Sequence, residues 1–293
     1  ELISKFGLDK ALNQVEGMFA FGLWDKKEEK LFLVRDRFGE KPLFYYKGNN
    51  FVVFGSEISI FRTFPKLNFE ICPKASFYYS MLGYIPAPMS IYKNIFKIMP
   101  AEMIMIKNAK VYKKKYYTIN SFNSSKQLPF SDYKSLIRTS LEESIKKMMV
   151  ADVEVGCFLS GGVDSSLLLA LANETGRQDI STFTVGNKSA ELEDEEFKRA
   201  KQIAFKFNSK NYTHDFGKTE FNQLVEASKL CDEPIGLLEI FYLFGIFGKI
   251  KDHAKVVLTG NGADEIFGGY TTYNNVKKYS DFTSHFNFLI QHS

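Results

Sequence analysis

Ser160, Gly161, Gly162, Asp164 and Ser165 stand within six residues, in the order Ser-Gly-Gly-Val-Asp-Ser. Two adjacent glycines let a backbone approach an anion closely, and an apolar run, Val163 to Ala170, opens a helix directly after them. The first N–H groups of that helix and the positive end of its dipole would point at a phosphate. The serines add hydroxyl donors, and Asp164 suits a magnesium ion rather than the phosphate itself. A ligand-free strand-to-helix turn is the bland reading of the same residues. A second glycine-rich stretch, Thr259-Gly260-Asn261-Gly262-Ala263-Asp264-Glu265, supplies another carboxylate after another apolar run. Asp264 in that stretch reads either as a metal ligand or as a helix cap.

These loops need elements to hold them. Val153 to Leu159 reads as a buried strand ahead of the first loop, and Lys255 to Thr259 as a strand ahead of the second. Between them come a strand at Ser181–Val185, a helix from Leu192 to Phe207 and a strand from Asn211 to Phe216. Helices across Phe221–Cys231 and Leu238–Lys251 follow. A helix over Asp132–Met149 precedes the set. This β-α-β alternation predicts a parallel, doubly wound sheet, in which ligands bind at the carboxyl ends of strands near a switch point. Residues 1–117 have another texture and read as strands: Phe19–Trp24, Lys30–Arg35, Pro42–Tyr46 and Phe51–Phe54, separated by turn material. Tyr84 to Tyr117 is irregular, with Pro86, Pro88 and Pro100, and ends in a further hairpin. Ser121 to Ser131 has linker composition.

Composition narrows the classes. The 293 residues are 45% hydrophobic, enough for two cores, and the net charge is only +4. Nucleic-acid binding is not demanded, and Lys113-Lys114-Lys115 reads as a solvated face. No apolar stretch approaches the ~20 residues that cross a bilayer, and no signal peptide pattern is read at Glu1. Cys72, Cys157 and Cys231 are far apart, as are the four histidines, so the expectation is a reducing cytoplasm and no protein-built metal cluster.

The Ser160–Ser165 signature resembles the pyrophosphate loop of the N-type ATP pyrophosphatases. Further motifs are similar to the glutamine-hydrolysing asparagine synthetase family: Gly17–Asp25, Arg35–Tyr45 and Gly55–Ile58 to its glutaminase part, and Gly83–Pro88 with Ile98–Pro100 to its connecting segment. Ser160–Ser165, Asp232-Glu233-Pro234 and Gly260–Tyr270 are similar to its synthetase part. The resemblance implies an α/β chain: a partial N-terminal-nucleophile glutaminase sandwich over 1–118, a linker over 119–131, and a Rossmann-like ATP pyrophosphatase domain over 132–293. It implies ATP and Mg²⁺ as cofactors, with Ser160, Gly161, Gly162 and Ser165 around the pyrophosphate. Phe158, Val185, Thr259 and Gly260 would meet the nucleotide, Asp164 and Asp264 would share magnesium, and Asn261 would face the acyl-adenylate. Glutamine and aspartate are the implied substrates, in a cytoplasmic protein that binds neither nucleic acid nor membrane and for which a homodimer is allowed.

Three departures qualify it. The family's N-terminal Cys and its early glutamine-holding residues have no counterpart here, so no glutaminase activity is expected. The family's later helices and their lysine are also unmatched. Asn261 stands where the family usually has Glu or Asp, and Leu237, Leu238 and Glu239 replace its usual Asp, Pro and Ser. Another carboxylate acceptor, such as a surface-polysaccharide sugar acid, is therefore an alternative to aspartate. A degenerate nucleotide-binding fragment is the non-enzymatic alternative. A tRNA-modifying pyrophosphatase would share the first loop, but the glutaminase-like half argues against it.

Overall fold

A computed structural model describes residues 1–119, 128–177, 179–186, 195–215, 221–236 and 239–273. Most of the linker-like stretch from Ser121, the expected helix start at Leu192, the strand end at Phe216, and Leu237 and Leu238 lie outside the described residues. The chain divides into two compact units, residues 1–125 with 225–238, and residues 126–224 with 239–293.

The first unit begins with α1 (Leu2–Phe6) and α2 (Leu8–Gln14). Then come β1 (Ala20–Asp25), β2 (Lys30–Arg35), β3 (Phe44–Lys47), β4 (Val52–Gly55), α3 (Ile58–Phe61), α4 (Pro73–Leu82), β5 (Ile95–Lys97), β6 (Glu102–Lys107) and β7 (Lys110–Lys115). Two antiparallel sheets form, ordered β1-β2-β6-β7 and β4-β3-β5. Side chains alternate across each strand, so each sheet has two faces to bury. Leu33, Ile104 and Ile106 of the first sheet meet Tyr45 and Phe96 of the second in one cluster. On the opposite face of the first sheet, Val34 and Met103 pack against Leu12 of α2. On the opposite face of the second, Tyr46 and Ile95 pack against Ile58 and Phe61 of α3. The layers therefore run helix, sheet, sheet, helix.

Four helices appear where residues 1–117 read as strands. Strand texture dominates that region, yet each sheet has an outer apolar face, and α2 and α3 cover those faces. The α4 helix is signalled locally by Pro73 in its first turn and by Gly83, left-handed at φ 75°, at its end. The Lys113–Lys115 run lies on exposed β7, where Lys114 pairs with Asp9 at 2.8 Å and Lys113 lies over the Tyr45 ring.

The second unit holds α5 (Phe130–Met148), β8 (Val155–Phe158), α6 (Val163–Glu174), β9 (Thr182–Gly186), α7 (Glu195–Lys206) and β10 (Asn211–Asp215). After α8 (Phe221–Leu230), within which the chain passes to the first unit, come α9 (Glu239–His253), β11 (Val256–Leu258) and α10 (Ala263–Phe267). All four strands are parallel, in the order β10-β9-β8-β11. One face buries Cys157 and Leu159 against Ile145 of α5, Leu169 of α6 and Ala200 and Ala204 of α7. The other buries Phe183 and Val257 against Leu243, Ile246 and Ile250 of α9. Helices on both faces explain why β8 reads as a continuous apolar run rather than an alternating one. No helix among the described residues is long and apolar enough to cross a membrane.

Candidate active site

From β8 the sheet grows one way through β9 and β10, and the other way to β11. The switch point therefore lies between β8 and β11, where connections leave in opposite directions and open a crevice at the strands' carboxyl ends. Both glycine-rich loops emerge there. They also touch: a Cβ placed on Gly260 would lie 3.2 Å from Cβ of Asp164 and 3.5 Å from the Ser165 nitrogen. A side chain there would sit tightly against Asp164, so glycine suits the close approach of the two loops.

Within the first loop, the Ser160 hydroxyl lies 3.0 Å from that of Ser165 and accepts the Gly162 N–H at 3.2 Å. The Ser160 N–H donates to Ser165 Oγ at 3.2 Å, and the Ser166 hydroxyl donates to the Gly162 carbonyl at 2.6 Å. These bonds hold the turn ahead of α6, a helix whose first N–H groups have no intrahelical partners. Gly161 has φ +84°, and a Cβ there would run into the backbone of α7, lying 2.9 Å from the Ala200 nitrogen. The pressing of α7 on Gly161 was not legible in the motif, because the contact is to residues some 40 positions away.

In the second loop, the Asn261 N–H donates to the Thr259 hydroxyl at 3.4 Å, and the Asn261 side chain is exposed between two glycines. Gly262 takes φ 94° at the start of α10, and Asp264 lies against Gly269, where a side chain would overlap its carboxylate. The Gly269 N–H donates to the Asp264 carbonyl at 3.0 Å. Tyr270 donates to Glu265 at 2.9 Å, and its phenol is raised above its ordinary value by that bond. Phe158 and Val185 lie at the ends of their strands, half-buried on the α9 face, with the Phe158 ring edge-on to Phe183 at 6.4 Å. Ser160, Gly161, Gly162, Asp164 and Ser165 thus lie on one loop and Thr259 and Gly260 on another that touches it, while Phe158 and Val185 belong to the apolar cluster on the α9 face.

Among the described residues no three His, Cys, Asp or Glu side chains are grouped to hold a metal ion by themselves. Magnesium commonly takes only one or two carboxylates and fills its octahedron with phosphate oxygens and water. Asp164 and Asp264, on loops in contact, fit that habit.

The asparagine synthase family model matches residues 136–291, more than half of the chain. The chain belongs to the asparagine synthase family. A glutamine amidotransferase domain model matches residues 1–117. Among curated relatives of this asparagine synthase family chain is a Methanocaldococcus jannaschii protein provisionally named asparagine synthetase [glutamine-hydrolyzing] 2, 34% identical over 94% of this chain and 53% of that protein. Two Bacillus subtilis proteins, asparagine synthetases [glutamine-hydrolyzing] 1 and 2, are 30% and 32% identical, over 90% and 89% of this chain and 41% and 37% of theirs. The chain thus spans about half or less of the length of these curated relatives.

One motif of the family sits elsewhere. Asp232-Glu233-Pro234 falls inside the asparagine synthase match, yet it packs in the first unit. There Asp232 and Glu233 bond to backbone N–H groups of Ile58, Ser59 and Ile91. Sequence reading missed this role; two adjacent acidic residues before a proline, on no apolar face, were the available signal.

Proposed function

We propose that the protein is an ATP-dependent, amide-forming ligase of the glutamine-hydrolysing asparagine synthetase type. The observation that supports this most is the contact of the two glycine-rich loops at the switch point of the parallel sheet, through Gly260 against Asp164 and Ser165. In this reading a carboxylate, that of aspartate, attacks the α-phosphorus of ATP and pyrophosphate departs. Ammonia from glutamine then displaces AMP from the acyl-adenylate, leaving asparagine.

Charge builds on the leaving pyrophosphate, so the residues that matter are those aimed at it. Ser160, Gly161, Gly162 and Ser165 would present N–H and hydroxyl donors there, and the α6 dipole would favour the same charge. Asp164 and Asp264 would hold magnesium, which when bound neutralises phosphate charge. Phe158 and Val185 would flank the adenine, with Thr259 and Gly260 along the nucleotide. Asn261, an amide, can orient the adenylate by hydrogen bonding but cannot take a proton as a carboxylate does. A cytoplasmic setting, where ATP and glutamine are found together, goes with this reading.

Calorimetry with Mg-ATP on the 293-residue chain tests the nucleotide assignment. Saturable binding is expected, weakened at least about tenfold by Asp164→Ala, the effect of losing one charge-assisted interaction. Equal affinity in the variant overturns the role of Asp164, and no binding by the parent chain overturns the reading as a whole.

A further inference from the structure

His214 of β10 pairs with Val185 of β9 in parallel register, at the carboxyl ends of both strands. Neighbouring strands lie ~4.8 Å apart, and residues paired in register share a face. Val185 belongs to the apolar cluster that packs on α9, with Tyr212, Leu243 and Ile246. His214 therefore stands beside one of the two residues assigned to the adenine.

The imidazole is wedged against α9. Its Nε2 is buried and has no hydrogen-bond partner. A Cβ placed on Gly245 of α9 would overlap that nitrogen, so the ring fills the space where another residue would carry its side chain. Glycine costs stability in a helix interior relative to alanine, and here its bare Cα admits the ring. One turn along α9, the Lys249 ammonium donates to the carbonyl of Thr213, the residue before His214. A turn beyond Lys249, His253 stacks on Tyr212 with ring centroids 3.9 Å apart. Asp215 follows His214 on its own strand, and β9 presents only Phe183 and Val185 on this face. Burial lowers the pKa of His214 from its ordinary value, helped by the Lys249 charge and opposed by that of Asp215. The geometry gives the same sign. An imidazolium carries N–H donors at both nitrogens, and the one at Nε2 would meet Gly245 with no acceptor among the described residues. A buried donor left unmet costs its full desolvation.

We propose that neutral His214 is a positioning residue for the nucleotide site, a role that rests on the nucleotide reading: it sets the spacing of α9 and β10 beside Val185, and its protonation opens that flank and weakens adenine-nucleotide binding. The effect is exerted through Val185 and α9 rather than by contact with the reacting atoms. Only the neutral form supports binding, so affinity is complete above about pH 6.5, the ordinary imidazole value. It is lost as pH falls through the lower value of the folded chain. The apparent Kd is the intrinsic one divided by the competent fraction.

Mg-ATP calorimetry on the 293-residue chain at pH 7.5 and pH 5.5 reads this directly. The Kd of the parent chain should rise about two- to tenfold at the lower pH, as the competent fraction falls. In His214→Gln, and in His214→Phe should the first variant fold poorly, that rise should be lost, since neither side chain takes the proton. His253→Gln should keep the parent's ratio, which assigns the titration to His214 rather than to its neighbour. Far-UV circular dichroism should be the same at both pH values. A Kd that does not change with pH in the parent, an equal rise in the His214 variants, or loss of the rise in His253→Gln overturns the proposal. So does a loss of circular dichroism that accompanies the loss of affinity. Absence of Mg-ATP binding by the parent at pH 7.5 is a separate result, which overturns the nucleotide reading and this role with it.

Discussion

Asp36 is 1% exposed, and its carboxylate accepts the N–H groups of Phe38, Glu40 and Lys41 at 2.9–3.1 Å. The neighbouring Arg35 guanidinium reaches the carbonyls of Gly39, Lys41 and Ile98. Burial lowers the pKa of Arg35, opposed by the nearby Asp36 charge. Together the pair ties down the loop between β2 and β3, so the Arg35–Tyr45 motif acts here as scaffold. Cys157 is a simpler case. It is fully buried in β8, and burial pushes its thiol up to about 12. The folded value lies above the unfolded one, so the associated stability is complete below about pH 9. It is lost as pH rises from there toward 12. Iodoacetamide at pH 8 should therefore label the partly exposed Cys72 and Cys231 in the native chain and spare Cys157 until denaturant is added. Rapid native labelling of all three, read by intact mass, would show β8 to be open.

At the scale of elements, the turn between β8 and α6 depends on Gly161 more than on its serines. Its φ of +84° disfavours any L-side chain, and the approach of α7 leaves no room for one. Gly161→Ala should destabilise the chain by about 1–3 kcal/mol through backbone strain alone, with the steric overlap adding to it. Urea unfolding measures this; a loss below about 0.5 kcal/mol would mean that the loop and α7 move apart freely. Strands were legible because their alternation or continuity follows directly from which faces are buried: β2 occupies Lys30–Arg35, as its residues suggest. The β6–β7 hairpin turns through Asn108 and Ala109, with φ of 50° and 56°. Positive φ at both central residues fits the right-handed twist of the flanking strands. The short helices α2 and α3 were less legible, because four to seven residues give too few turns for a 3.6-residue period to register.

Over the whole molecule, binding and stability are linked. A ligand that binds only the folded chain stabilises it by about 2.7 kcal/mol at a hundredfold excess over its Kd. Mg-ATP at that excess should raise the urea midpoint of the parent chain accordingly, and the same concentration should do much less for Asp164→Ala. An equal rise in both would place the nucleotide away from Asp164. This measurement is carried out on the chain as a unit, since residues 225–238 leave neither unit a continuous stretch of sequence.

The sequence alone determined what neighbours in the chain can determine. It marked the strand–loop–helix units, the glycines and serines of the Ser160–Ser165 turn, and the second loop after Val256–Leu258. Each is a local matter of backbone freedom, hydrogen-bonding groups and side-chain period. Only the tertiary structure decided that β11 lies beside β8, which brings Gly260 against Asp164 from 96 positions away. It alone decided that α7 closes over Gly161 and that Asp232 caps α3. Those pairings arise from burial of shared apolar faces and from backbone N–H groups that need an acceptor once water is excluded, and sequence order does not encode which distant partner will supply it.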